Sequence, residues 1–291
     1  MNLLNIFTIW QLKWLNRKLL GFVNNQLIKE ISSNSCADSF LKCVVIFLLT
    51  KSTRTFDTMV GISISKKHYG DVLVLGRTVL ENSVILNRIK ERDCENRARL
   101  FWEDGLLRLN RDKDFIEEIK SKKGSDDQID SILSTYRKHL EIHKEDLRNA
   151  KNNRELEFSK VAKINKNGRL NNKSWCCLSL KDMILDTKVD KYHDLVYILA
   201  SGYVHPNIWL TDQEYLDISG EMNILEPGTG LKKIISEREM IFPWHLSTVV
   251  YLNILFGVVD VFASDLKGKS KVFKKKLDMF SEKLRKIIEK K

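Results

Sequence analysis

Very little in this sequence can stop a helix. Its 291 residues include three prolines, Pro206, Pro227 and Pro243, and thirteen glycines. A sheet protein of this length needs a turn every few residues, so a chain this poor in breakers excludes a many-stranded architecture and favours long helices. Cysteine is scarce and irregularly spaced. Cys36, Cys43, Cys94, Cys176 and Cys177 form no CxxC pair and no Cys/His cluster with zinc-site spacing, which predicts reduced core thiols in a cytoplasmic protein with no structural metal. No glycine-rich phosphate loop and no repeat of fixed period occurs, so no cofactor is expected. The first 23 residues are apolar, but Lys13, Arg17 and Lys18 come late in the run, the wrong order for a secretory signal. A second apolar stretch, 245–263, is long enough to cross a bilayer. It carries His245, Ser247, Thr248, Asn253 and Asp260, so a buried core helix is expected there and no membrane span.

What is present is ample apolar material and an uneven charge. Hydrophobic residues make up 43% and charged residues 30%, enough for a substantial core. Of the formal net charge of +11, the segment 266–291 contributes +8, from eleven Lys/Arg against three Asp/Glu. Within it Phe273, Leu277, Phe280, Leu284, Ile287 and Ile288 recur at three-to-four spacing. That pattern predicts an amphipathic helix docked by an apolar stripe, with a basic outer face. Phe273 and Phe280 lie on the stripe and read as packing residues. The basic face reads either as a solvated lysine surface or as an electrostatic contact for RNA, DNA or an anionic membrane surface, and membrane-surface attachment through 1–23 or this tail stays open as a further reading.

Along the chain, 1–31 reads as an amphipathic helix in which Trp10 and Trp14 serve core packing, with a partner-binding or interfacial arm as the alternative, and 32–35 as a break. A helix over 37–66 has Phe40, Val44, Phe47, Leu48 and Met59 on its apolar face. After a turn at 67–70, with Asp71 a candidate N-cap, the next helix covers 72–92. So short a connection makes the two antiparallel. A more polar helix follows over 94–120, then a break at 122–127. A strongly charged helix over 128–163 suggests a projecting or dimerising element, and a homodimer is expected. Residues 165–173 read as a polar loop, 178–186 and 191–205 as helices, 209–240 as irregular, and 244 onward as one long helical region. The domain reading is an N-terminal amphipathic arm over 1–35, a bundle over 36–265 and a basic C-terminal helix over 266–291.

Two segments carry chemistry. In GRTVLEN, 76–82, Arg77 and Glu81 are four apart and share a helix face. Leu73, Val74, Leu75, Val79, Leu80, Val84 and Ile85 surround them, so the helix is mostly buried and its charges must be paired. In YILASGYVHPN, 197–207, Ser201, His205 and Pro206 close a helix, where the dipole favours a histidinium. Taken alone, the first is an ordinary helix ion pair and the second a capping or core histidine. His139 and His143 also share a helix face but have no evident third metal ligand.

Together the segments resemble an uncharacterised prokaryotic helical family of unknown function, with R-T-x-x-E on an early helix and S-x-x-x-H-P closing a later one. Here these are Arg77-Thr78-x-x-Glu81 and Ser201-x-x-x-His205-Pro206, with a tryptophan-containing stretch around Trp175 between them. The resemblance covers about 51–209. More remotely, the chain is similar to the HEPN superfamily, helical bundles that commonly dimerise and often cut RNA in toxin and phage-defence systems. The arginine usual in that superfamily, separated from the histidine by four to six intervening residues, is absent, since Ala200, Leu199 and Ile198 occupy those positions, and Arg77 from another helix would have to replace it. The resemblance implies an all-α, HEPN-like, up-and-down bundle. It also implies a metal-independent ribonuclease or RNA-binding effector of a bacterial defence or toxin system, with Arg77, Glu81, Ser201 and His205 as its site. The alternative is a non-catalytic helical module that binds a protein or nucleic-acid partner, with the same residues forming a buried structural network.

Overall fold

The computed structural model describes residues 3–33, 39–62, 64, 68–124, 126–161, 183 and 241–289, and no strand occurs among them. Helix α1 (Leu3–Phe22) continues through a π-helical turn (Val23–Leu27) into α2 (Ile28–Ser33). Then come α3 (Phe40–Gly61), α4 (Tyr69–Lys90), α5 (Cys94–Lys123), α6 (Asp127–Ile142) and α7 (Lys144–Val161). Helix α8 (Phe242–Phe262), a 3-10 turn (Ser264–Leu266) and α9 (Lys267–Glu289) complete the described elements. The expected helices at 178–186 and 191–205, apart from the buried helical Met183, lie outside the described residues, as do the loop at 165–173, the irregular stretch at 209–240, Cys36, Cys176 and Cys177. The chain divides into two compact units, one of 1–37, 45–90 and 184–291, the other of 38–44 and 91–183.

In the first unit α8 is the central helix. It starts at a proline in its first turn, where a missing N–H costs nothing. Trp244, Leu246, Val250, Tyr251, Leu255, Val258 and Val259 are all buried, each worth roughly 1.5–3 kcal/mol of apolar transfer. Of described helices it alone is long and apolar enough to cross a membrane, and 61% of its most apolar window is buried inside the protein. Its closest partner is α4. A Cβ on Gly76 would collide with Ser247 Oγ, and one on Gly257 would meet Leu86 Cδ2 at 3.0 Å. Lys90 Nζ reaches Asp260 at 3.8 Å near the far ends. These pairings advance together along both helices, so α4 and α8 run parallel, which the long 91–241 connection permits. The missing side chains let the backbones approach, and that closeness makes this the most extensive packing in the unit.

Helix α3 joins this core through Ser52, whose Oγ accepts from Asn82 Nδ2 at 2.9 Å, and through Thr53 and Phe56 against Tyr251. Val44, Val45, Leu48, Leu49, Phe56 and Met59 are its buried apolar residues, whereas Phe47 is 53% exposed. The stripe of Val44, Leu48 and Leu49 turns Phe47 outward, against expectation. Cys43 is likewise exposed and not a core thiol. Helix α4 starts before the expected turn ends. Asp71 therefore sits inside its first turn and pairs with His68 Nδ1 at 3.2 Å instead of capping the helix.

The expected continuous terminal helix breaks after Phe262. Ala263 leaves helical geometry at φ −145°, ψ 54°, and α9 folds back antiparallel on α8, bringing Ser281 to His245 and Lys267 to Asp260. It also lies antiparallel to α1, with Phe273 against Phe22 and Lys269 bonded to Gln26. Leu277 and Phe280 are buried as the stripe requires; the side chains of Leu284, Ile287 and Ile288 lie outside the described residues. On α1 the leucines at 12, 15, 19 and 20 take the inner face. Trp10 and Trp14 are thereby left 60% and 41% exposed, which corrects the expectation that they pack in the core.

The second unit is built on α5. Helices α6 and α7 both pack against it. The expected single helix over 128–163 is thus two, broken at His143 (φ −108°, ψ 30°), so it folds back on α5 and does not project. The Asp126 carboxylate caps α6 by accepting from Ile129 N at 2.7 Å. Glu103 and Asp104, both nearly buried, are bridged to Arg99 and Arg108 one turn away. Glu95 of α5 caps α3, accepting from Ser39 Oγ at 2.6 Å and from the Phe40 and Leu41 amides at 2.6 and 3.3 Å.

Candidate functional site

The arginine–glutamate pair forms on α4 as its spacing predicts. Arg77 Nε donates to Glu81 Oε1 at 2.8 Å, with the side chains 14% and 35% exposed. Their helix is held rigidly, because Leu73, Val79, Leu80 and Val84 are buried and Gly76, next to Arg77, is locked against Ser247. One turn after Thr78, Asn82 reaches into the core and bonds Ser52. The pair is therefore a fixed, half-buried guanidinium–carboxylate unit on an unyielding support. A guanidinium offers planar, charge-assisted donors to an anion. The two other candidates, Ser201 and His205, lie outside the described residues, as does the stretch around Trp175.

Elsewhere in the first unit the structure reveals a histidine that sequence reading passed over within an apolar run. His245, near the start of α8, has Nε2 2.7 Å from Ser281 Oγ and its ring 5.6 Å from that of Phe280. Burial pushes its imidazole down from 6.5 to about 4, so it is neutral at pH 7. A serine beside a neutral imidazole invites a nucleophile reading, but the Ser281 hydroxyl already donates to Leu277 O at 2.9 Å. The Nε2–H must then donate to Ser281, so the ring cannot accept that serine's proton, and the contact is a structural clip between α8 and α9. Tyr251 behaves similarly. Its hydroxyl bonds Thr53 Oγ1 at 2.9 Å, and burial pushes its ionisation well above the ordinary range. Among the described residues no group of three His, Cys, Asp or Glu can hold a metal ion. His143 instead turns toward Asp146 at 3.4 Å and sets its ring edge-on to Trp102.

No curated protein and no solved structure matches the chain. A family model does match, over residues 42–223. That span covers well over half of the sequence, includes the stretch on which the two motifs were read, and leaves α1 and α9 outside it. The chain belongs to the family of unknown function DUF5677.

Proposed function

We propose that the family domain is a HEPN-like, RNA-directed effector of a bacterial defence or toxin system, with Arg77, Glu81, Ser201 and His205 as a metal-independent cleavage site. The observation that carries this reading is the Arg77–Glu81 pair, a guanidinium aligned at 2.8 Å and still partly open to solvent. An arginine oriented by a carboxylate on a rigid helix is what stabilisation of a phosphorane-like charge requires. All four residues fall within the matched span. In this reading His205 moves the proton of the ribose 2′-hydroxyl or of the leaving oxygen, and Ser201, one turn earlier, positions a phosphate oxygen. The division into an arm over 1–35, a bundle over 36–265 and a basic helix over 266–291 is then functional: the bundle holds the chemistry and the ends hold the chain in place. The effector acts as a homodimer in the cytoplasm.

The test is cleavage of cellular RNA by the wild type beside Arg77→Ala and His205→Ala. Cleavage by the wild type alone supports the reading. Equal cleavage by all three, or by none, removes it. A second reading, a non-catalytic helical module binding a protein or nucleic-acid partner, is favoured by the fact that Arg77 already pairs with Glu81 one turn along its own helix. On that reading Arg77→Ala lowers stability and no RNA is cut by the wild type.

A further inference from the structure

We propose that α1 and α9 together form a docking surface for an anionic lipid membrane, apart from the site on α4. Phe7, Trp10 and Trp14 are 55%, 60% and 41% exposed on the outer face of α1, and Met279 is 57% exposed on α9. The Phe7 and Trp10 rings stack at 6.3 Å. Trp10, Trp14 and Met279, with Lys276, line a groove of about 420 Å³ between the two helices. Large aromatic and aliphatic side chains grouped at the surface mark an interaction site, and interfacial tryptophan is the residue that settles at lipid headgroup depth.

The charge identifies the occupant. Helix α1 contains no acidic residue, and the first in the chain is Glu30; Lys13, Arg17 and Lys18 are its only charges. Helix α9 adds the most basic segment of the protein. Aromatic residues beside lysines also suit single-stranded nucleic acid, but there the rings must be open for bases to stack. Here Lys276 and Lys18 lie over the Trp14 ring at 5.0 and 5.8 Å. Amines riding on an indole, next to exposed phenylalanine and methionine, fit the layered order of a bilayer edge: apolar groups at acyl depth and ammonium groups at the phosphates. The protein therefore binds peripherally, in the manner of an amphipathic interfacial helix, while α8 stays in the core.

The test is co-sedimentation of the full chain with phosphatidylcholine vesicles, with and without phosphatidylglycerol. The wild type is expected to pellet with the anionic vesicles and to be released by salt. Trp10→Ala/Trp14→Ala and, separately, Lys276→Glu are each expected to weaken binding roughly tenfold or more while helix content and melting midpoint stay unchanged. The lysine variant decides the matter should the tryptophan variant misfold. Equal pelleting with neutral and anionic vesicles, or unaltered binding by Lys276→Glu, overturns the proposal. So does loss of single-stranded RNA binding in these variants without any vesicle binding by the wild type. Because neither helix lies in the matched span, RNA cleavage by the wild type is independent of the outcome.

Discussion

Gly76 of α4 faces Ser247 of α8 so closely that no β-carbon fits between them. The serine is itself fixed, since its hydroxyl donates to Pro243 O at 2.8 Å. The residue beside the candidate arginine is thus a glycine because of what the neighbouring helix places against it.

Gly76→Ala is expected to lower stability by about 1–3 kcal/mol, the cost of overpacking a tight interface. Ser247→Ala removes the clashing oxygen, and the double variant should recover most of the loss. Urea denaturation of the three variants forms a cycle, and strict additivity would show that the two positions do not touch.

His245 predicts a pH dependence. Its imidazole takes up a proton near 6.5 in the unfolded chain and at about 4 in the folded one, so between those values the unfolded state binds more protons. Stability is intact above about pH 6.5, declines as the pH falls, and by about pH 4 has lost roughly 3 kcal/mol through this group. His245→Gln keeps a donor for Ser281 and cannot titrate. Its denaturation midpoints should fall less steeply over that window, and identical profiles would place the group elsewhere.

Glu95 ties the start of α3 to α5 through one hydroxyl and two amides. Glu95→Ala is expected to cost about 1 kcal/mol, as loss of a helix cap does, and Glu95→Gln less, because an amide oxygen still accepts. Hydrogen exchange at the Phe40 and Leu41 amides should quicken in the alanine variant.

Tyr251 combines a stacked ring, 4.2 Å from Phe56, with a buried hydroxyl. Tyr251→Phe should cost only about 1 kcal/mol, since Thr53 still donates to Leu49 O at 2.7 Å. Tyr251→Ala should cost about 3–5 kcal/mol by opening a cavity. Thermal unfolding of both variants separates the ring from its hydroxyl.

Features that depend on local spacing were legible in the sequence. Helical periodicity, the burial of Leu277 and Phe280 on α9, the core character of α8 and the Arg77–Glu81 pairing all follow from which residues share one face of one helix, and the structure bears them out. Ser201 and His205 share the S-x-x-x-H-P spacing and lie outside the described residues.

Other features were decided by partners distant in the chain. Phe47, Trp10 and Trp14 are apolar residues that faced outward once leucine and valine stripes had claimed the interior. Neither the break at His143 nor the one at Ala263 contains a proline; each exists because the helix after it gains more by folding back on its neighbour than by continuing straight. The parallel contact of α4 with α8, the clip between His245 and Ser281, and the joint surface of α1 and α9 pair residues more than thirty positions apart in sequence. Helix formation is governed by neighbours three and four residues away, and so one chain segment encodes it; which helix meets which, and which side chains are left in water, is a competition for buried area that only the folded whole resolves.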